Sequence, residues 1–211
     1  MFLKRGYLFA FEGIDGAGKS SHCRLMNEAF RKDGIPVQLF REPTDGYWGK
    51  KVRKLLYQGR GNVAREEELE WFINDRREDV ELNILPALEN KNIVLIDRYY
   101  YSTAAYQGAL GLDSKEIIRV NERFAPTPDL TFIFEVPVDI CIERICSSRE
   151  EKTDEFEKKE YLEKVQIVFD GIDGPQIRRI NGSDDIDKVR KNLMKVVISE
   201  FPELANSRGA Q

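Results

Sequence analysis

Residues 13–20 read Gly13, Ile14, Asp15, Gly16, Ala17, Gly18, Lys19 and Ser20, the pattern G-x-x-x-x-G-K-[ST]. No other stretch limits the possible folds so strongly, because the pattern works only between a strand and a helix. The flanks supply both. The run YLFAFE at 7–12 predicts a buried strand, and 20–32 places Cys23, Met26 and Phe30 at helical spacing before Gly34. In such a turn the glycines let backbone N–H groups face phosphate oxygens, and the helix N-terminus adds partial positive charge. Lys19 is placed to reach outer phosphates, and the Ser20 hydroxyl to hold Mg²⁺.

Beyond this loop the chain alternates short apolar runs with longer helical patterns. Strands are expected at 36–40, 92–97, 130–136 and 177–180. Helices are expected around Val52, Leu55 and Leu56, at 65–89, from Asp113 with Glu116 at capping-box spacing, and at 138–148, 161–169 and 185–201. The alternation predicts an α/β fold with a five-stranded parallel sheet flanked by helices, as one domain over 1–211. Ligands of such sheets gather at the carboxyl ends of the strands. The polar residues there are 13–20, Arg41-Glu42-Pro43 and Asp97-Arg98. Asp97, after four apolar residues, ends its strand where a carboxylate can hold a metal's shell.

Charge and cysteine content exclude several classes. The 211 residues carry 33 Lys+Arg against 37 Asp+Glu, a net charge of −4, which argues against a long nucleic-acid partner. A mononucleotide needs only a few local arginines. Cys23, Cys141 and Cys146 form no C-x-x-C pair, so they read as small buried apolar residues rather than disulfides or a zinc site. No run approaches a membrane span, and the chain reads as cytoplasmic. The lone His22 makes Ser-His or Cys-His catalysis a poor candidate.

The 65–89 segment holds an anomaly. Stepping about 100° per residue from Leu69, Phe72, Ile73, Arg76 and Val80 fall within about 60°. Arg76 therefore sits in the apolar stripe, where a charge needs a partner. Either a structural salt bridge meets it, or a planar nucleobase does, with Phe72 stacking and Arg76 bonding the base edge. Trp71 and Leu82 face the other way, toward another helix or a second subunit. Arg41, Arg53 and Arg98 are candidates for a phosphate cluster. Tyr99, Tyr100 and Tyr101 read as core or loop packing. The run 150–159 is almost wholly charged and reads as a surface segment.

Five segments together resemble the thymidylate kinases, P-loop nucleoside monophosphate kinases. They are FEGIDGAGKSS (11–21), REPTDG (41–46), FINDRRE (72–78), DRYYYSTAAYQG (97–108) and PTPDLTFIFEVP (126–137). REPTDG looks like the archaeal form of its loop. The resemblance implies that the nucleoside-monophosphate-kinase fold carries a lid at about 149–160; the tail at 202–211 is separately expected to be loosely ordered. ATP would lie on residues 13–20 with Arg144 and Asn181, and Mg²⁺ on Ser20 and Asp97. For dTMP, Asp15 would hold the 3′-hydroxyl, Phe72 and Arg76 the base, and Thr103 and Gln107 would complete base recognition. Tyr106 would crowd the 2′-position, Arg53 and Arg98 would bind the phosphate, and Pro43 and Ser102 would border the 5-methyl group. Arg41 and Glu42 would lie near the reacting phosphates.

The resemblance implies transfer of the γ-phosphoryl of MgATP to dTMP, giving dTDP and ADP, by a homodimer. Lys19, Arg98 and a lid cation would be the catalytic groups. Position 16 is glycine, so the lid would supply the cation: Arg149 first, Lys152 second. Glu155 stands where many members have arginine. The alternatives are a deoxynucleoside kinase and a nucleotide-dependent switch or binding protein.

Overall fold

In a computed structural model, residues 3–148 and 155–205 are described, with backbone alone for 148 and 155–157. The sheet contains β1 (Tyr7–Glu12), β2 (Val37–Arg41), β3 (Ile93–Asp97), β4 (Leu130–Glu135) and β5 (Ile177–Asn181). Among the described residues these five are parallel, in the order β2-β3-β1-β4-β5. The central strands read as unbroken apolar runs because both their faces are covered. Every residue of β1 and β3 is buried, whereas the outer strands β2 and β5 are only partly so. The observed strand limits differ by at most one residue from those expected.

Flanking the sheet are α1 (Lys19–Lys32), α2 (Tyr47–Gln58), α3 (Arg65–Asp79), α4 (Leu85–Glu89), α5 (Tyr100–Gly108) and α6 (Ser114–Glu122). They are followed by α7 (Val138–Ser148), α8 (Glu155–Asp170) and α9 (Ile186–Glu200). Side chains of Asp113 and Asp185 accept from backbone N–H groups in the first turns of α6 and α9, satisfying donors that a helix start leaves unpaired. Phe11 packs on Phe132, and Phe134 on the ring of His22 at 5.4 Å. His22 is therefore a packed ring of α1.

Several expectations are corrected. The helix expected over 65–89 is three pieces: α3, a π-helical segment Val80–Ile84, and α4. Pro86 lies one turn beyond Leu82 and has no N–H for its carbonyl, so the helix widens where regular bonding would fail. Tyr99, Tyr100 and Tyr101 are core, as one of the two readings had it, but the last two begin a helix, α5, that was not expected. Residues 155–159 of the charged run belong to α8, which begins earlier than the helix expected at 161. Pro202–Leu204 forms a 3₁₀ turn with Leu204 buried, so the tail is seated at least that far. Trp71 packs on Val52 and Leu55 of α2 and offers no face to a second subunit. Cys23 and Cys141 are buried, but Cys146 is only half so; none of the three is in a disulfide among the described residues. Among the described residues no helix is long and apolar enough to cross a membrane.

Candidate active site

Strand register builds the site. Asp97 pairs with Phe11 of β1 and with Arg41 of β2, so the first residues past all three strands emerge along one edge. The loop after β1 curls before α1. Gly13 and Gly16 have φ of 133° and 83°, values that favour glycine. A Cβ on Gly16 would also lie 2.5 Å from the Cys141 carbonyl oxygen. Lys19 donates to the Ile14 carbonyl at 2.7 Å. Burial, followed by Arg98, lowers its ammonium to about 8. An incoming phosphate would offer that charge a better partner than a carbonyl.

Beside the loop, Ser20 Oγ donates to Asp97 Oδ2 at 2.5 Å. Asp97 Oδ1 is buried without a hydrogen-bond partner among the described residues. A hydroxyl and a carboxylate with an unused oxygen suit a hard cation that takes its other ligands from phosphates and water. Arg144 reaches from α7 to the carbonyls of Gly16 and Gly182, each at 3.3 Å, tying the loop to the turn after β5. Gly182, Asp184 and Ile186 line this donor cleft. Asn181, expected there, does not; its side chain accepts from the Ser183 N–H at 3.0 Å.

Arg98 is strained. Its φ of 71° is a left-handed conformation that a bulky side chain rarely adopts. Three contacts enforce it. Its N–H bonds the Phe11 carbonyl, its guanidinium pairs with Asp15, and Nη1 donates to Ser102 Oγ at 3.2 Å. Glu12, missed in the sequence, stands behind. Its carboxylate accepts from the N–H groups of Tyr99 and Ser102 at 2.9 and 3.1 Å and from the Ser102 hydroxyl, capping α5. Burial raises Glu12 to about 6.

The acceptor cleft extends from this edge under α2 and α3. Arg76 is 1% exposed and paired with Glu42. It also donates to Asn121 Oδ1 at 2.8 Å and Thr103 Oγ1 at 3.1 Å. The salt-bridge reading of Arg76 therefore holds. Burial pushes the Glu42 carboxyl up, and Arg76 pulls against it. Arg76 also lines the cleft with Phe72. Four of its five N–H groups are used in these bonds and one at Nη1 remains, so the base-edge reading stays open beside the first. Glu42, expected near the reacting phosphates, is turned to Arg76 instead. Pro43 follows it through a cis peptide bond, and the Pro43 carbonyl accepts from Arg53 at 2.7 Å, while Arg53 also pairs with Asp45. Thr103 and Ser102 spend their hydroxyls on Arg76, Arg98 and Glu12. The Tyr106 hydroxyl accepts from the Asp15 N–H at 2.9 Å.

The buried side of α3 is not the apolar stripe expected. Glu68, Asp75, Arg76 and Asp79 are all buried. Asp75 accepts from the Thr44 N–H and hydroxyl at 2.9 and 2.6 Å, fixing the loop after β2. Arg149 and Lys152 lie outside the described residues.

A family model described as thymidylate kinase matches residues 11–193, from the phosphate loop into α9. The chain belongs to the thymidylate kinase family. Among thymidylate kinases, one from Desulfotalea psychrophila is 49% identical over 192 residues, covering 91% of this chain and 94% of its own. A probable thymidylate kinase from Archaeoglobus fulgidus is 38% identical over 91% of this chain and 95% of its own. The crystal structure of thymidylate kinase from Ehrlichia chaffeensis superposes with a TM-score of 0.72 at 30% identity, covering 92% of this chain and 98% of that one. As in other thymidylate kinases, the phosphoryl donor is ATP.

Proposed function

We infer that the chain transfers the γ-phosphoryl of ATP to dTMP, giving dTDP and ADP. One observation carries this beyond family membership: the donor and acceptor clefts share a wall. Asp15, Ser20, Arg41 and Arg98 line both, so a nucleotide in each would meet phosphate to phosphate.

The geometry supports the following roles. The loop's N–H groups hold the donor phosphates, and Lys19 leaves the Ile14 carbonyl for the outer ones. Arg98 holds the acceptor phosphate from the opposite side, and Asp15 shares its charge until the sugar arrives. A phosphate oxygen of dTMP is already nucleophilic, so the chain needs no general base. Its contribution is alignment and neutralisation of charge on the transferring group. Ser20 and Asp97 would hold Mg²⁺, which neutralises phosphate charge when bound. Phe72 stacks on the base, and the remaining Arg76 N–H donates to its edge. The lid cation is assigned to Arg149 on the resemblance alone. A single domain, a cytoplasmic location and a homodimer complete the reading; exposed Leu82 within the π-helical segment and Leu85 just after it are surface that a second copy would cover.

ADP release measured with dTMP, dUMP, dCMP, AMP and thymidine tests the reading. Stimulation by dTMP well above the other acceptors is expected. Stimulation by thymidine alone would instead make the chain a nucleoside kinase.

A further inference from the structure

The fold treats the two ends of one amide differently. Gln107 is 1% exposed. Its Nε2 donates to Glu68 Oε1 at 2.8 Å, but its Oε1 is buried with no hydrogen-bond partner among the described residues. An unpaired buried acceptor is costly and calls for an explanation. Turning the amide over would not relieve it, because Oε1 would then face a carboxylate, acceptor against acceptor.

Glu68 cannot swing away either. It is fully buried, and Arg60 grips both its oxygens, with Nε to Oε2 at 2.8 Å and Nη2 to Oε1 at 3.3 Å. Such a bidentate fork fixes orientation as well as charge. Glu68, Gln107, Phe72 and Arg76 all line the acceptor cleft. The orphaned oxygen is therefore carried by a side chain of the cleft wall, and no donor among the described residues meets it.

We propose that Glu68, clamped by Arg60, is a positioning residue that sets pyrimidine specificity: it holds Gln107 with its amide oxygen toward the base. A base with N–H at ring position 3, thymine or uracil, gives that oxygen its hydrogen bond. Cytosine has a lone pair at the same position and meets repulsion. A site built to pair with a substrate N–H rejects the analogue lacking it more strongly than shape alone can. The proposal rests on the dTMP reading above.

Steady-state kinetics with dTMP, dUMP and dCMP on the full chain and on Glu68→Gln separate the two ideas. No dTMP-dependent ADP release from the unaltered chain means the functional reading has failed. If the unaltered chain is active, Glu68→Gln frees the amide to turn. The dTMP-over-dCMP ratio of kcat/KM is then expected to fall at least about tenfold. The loss for dTMP should be in KM, with kcat and the KM for ATP held. The dTMP-over-dUMP ratio should stay within about twofold, since both bases carry the N–H. A merely structural role for Glu68 would move both ratios or neither, and either result overturns the proposal. Should Glu68→Gln fail to melt cooperatively, the Gln107 side-chain amide resonances of the unaltered chain decide. Proton signals already hydrogen-bonded without ligand and little moved by dTMP support the clamp. Signals that become protected only when dTMP binds would put the NH₂ group on the base and overturn it.

Discussion

The donor and acceptor clefts meet at one wall, yet they are built from different materials. The donor cleft is built mainly on one local turn: the glycine loop and the start of α1, with Lys19 folded onto a carbonyl of its own loop. The acceptor cleft is side chain: Arg76 against Glu42 and Asp75 against Thr44, pairs 34 and 31 positions apart, with Arg60 against Glu68, eight apart. Local geometry shapes the loop of the first, which Arg144 then ties to the turn after β5. The second exists only when the whole molecule has folded. Function and stability should therefore separate at the donor cleft and coincide at the acceptor cleft.

The most severe test is Lys19→Met. Turnover should fall roughly 10²–10³-fold, the size of losing one preorganised donor to transition-state charge. The melting temperature should hold or rise, because burial already disfavours this ammonium. Turnover and melting temperature falling together would erase the contrast. Arg76→Met should show the opposite pattern. It strands the buried Glu42 carboxylate, and breaking such a pair costs about 3–5 kcal/mol. A urea midpoint should fall steeply and dTMP affinity with it, while ATP affinity changes little. An unmoved midpoint would mean that Arg76 does not hold the fold.

Titration sharpens the comparison further. With Lys19 lowered to about 8, the free loop is charged below that pH and progressively neutral above it. Bound polyphosphate favours the charged form, so binding above this point takes up a proton. ATP affinity should be flat below pH 8 and weaken by up to about tenfold per pH unit above. Calorimetry in buffers of different ionisation enthalpy reads both effects, and affinity that stays flat to pH 9.5 would remove the coupling. The mildest test is Asn181→Ala. Its side chain serves the Ser183 N–H rather than the donor cleft, so the KM for ATP should change less than about twofold.

What could be read from the sequence follows the same division. The phosphate loop, the strands and the end residues Arg41, Asp97 and Arg98 were legible because apolar runs and local spacing encode them. Helix α5 was not. Its residues from Tyr100 to Ala105 are all buried, so it has no polar face and no helical period to detect. Glu68 was hidden by its setting: within the acidic run 66–70 it looks like one more solvated charge, and only Arg60 and Gln107 show otherwise. Arg76 was legible as an anomaly on a helical stripe. Its partner Glu42, 34 positions away, was not.

Glu12 has a wider consequence. It is the last residue of β1, immediately before the first glycine of the phosphate loop, and its carboxylate fixes the start of the helix that follows Arg98. One side chain thus makes the seats of the two phosphates a single rigid gauge. The gap that a phosphoryl group must cross is measured by the end of one strand.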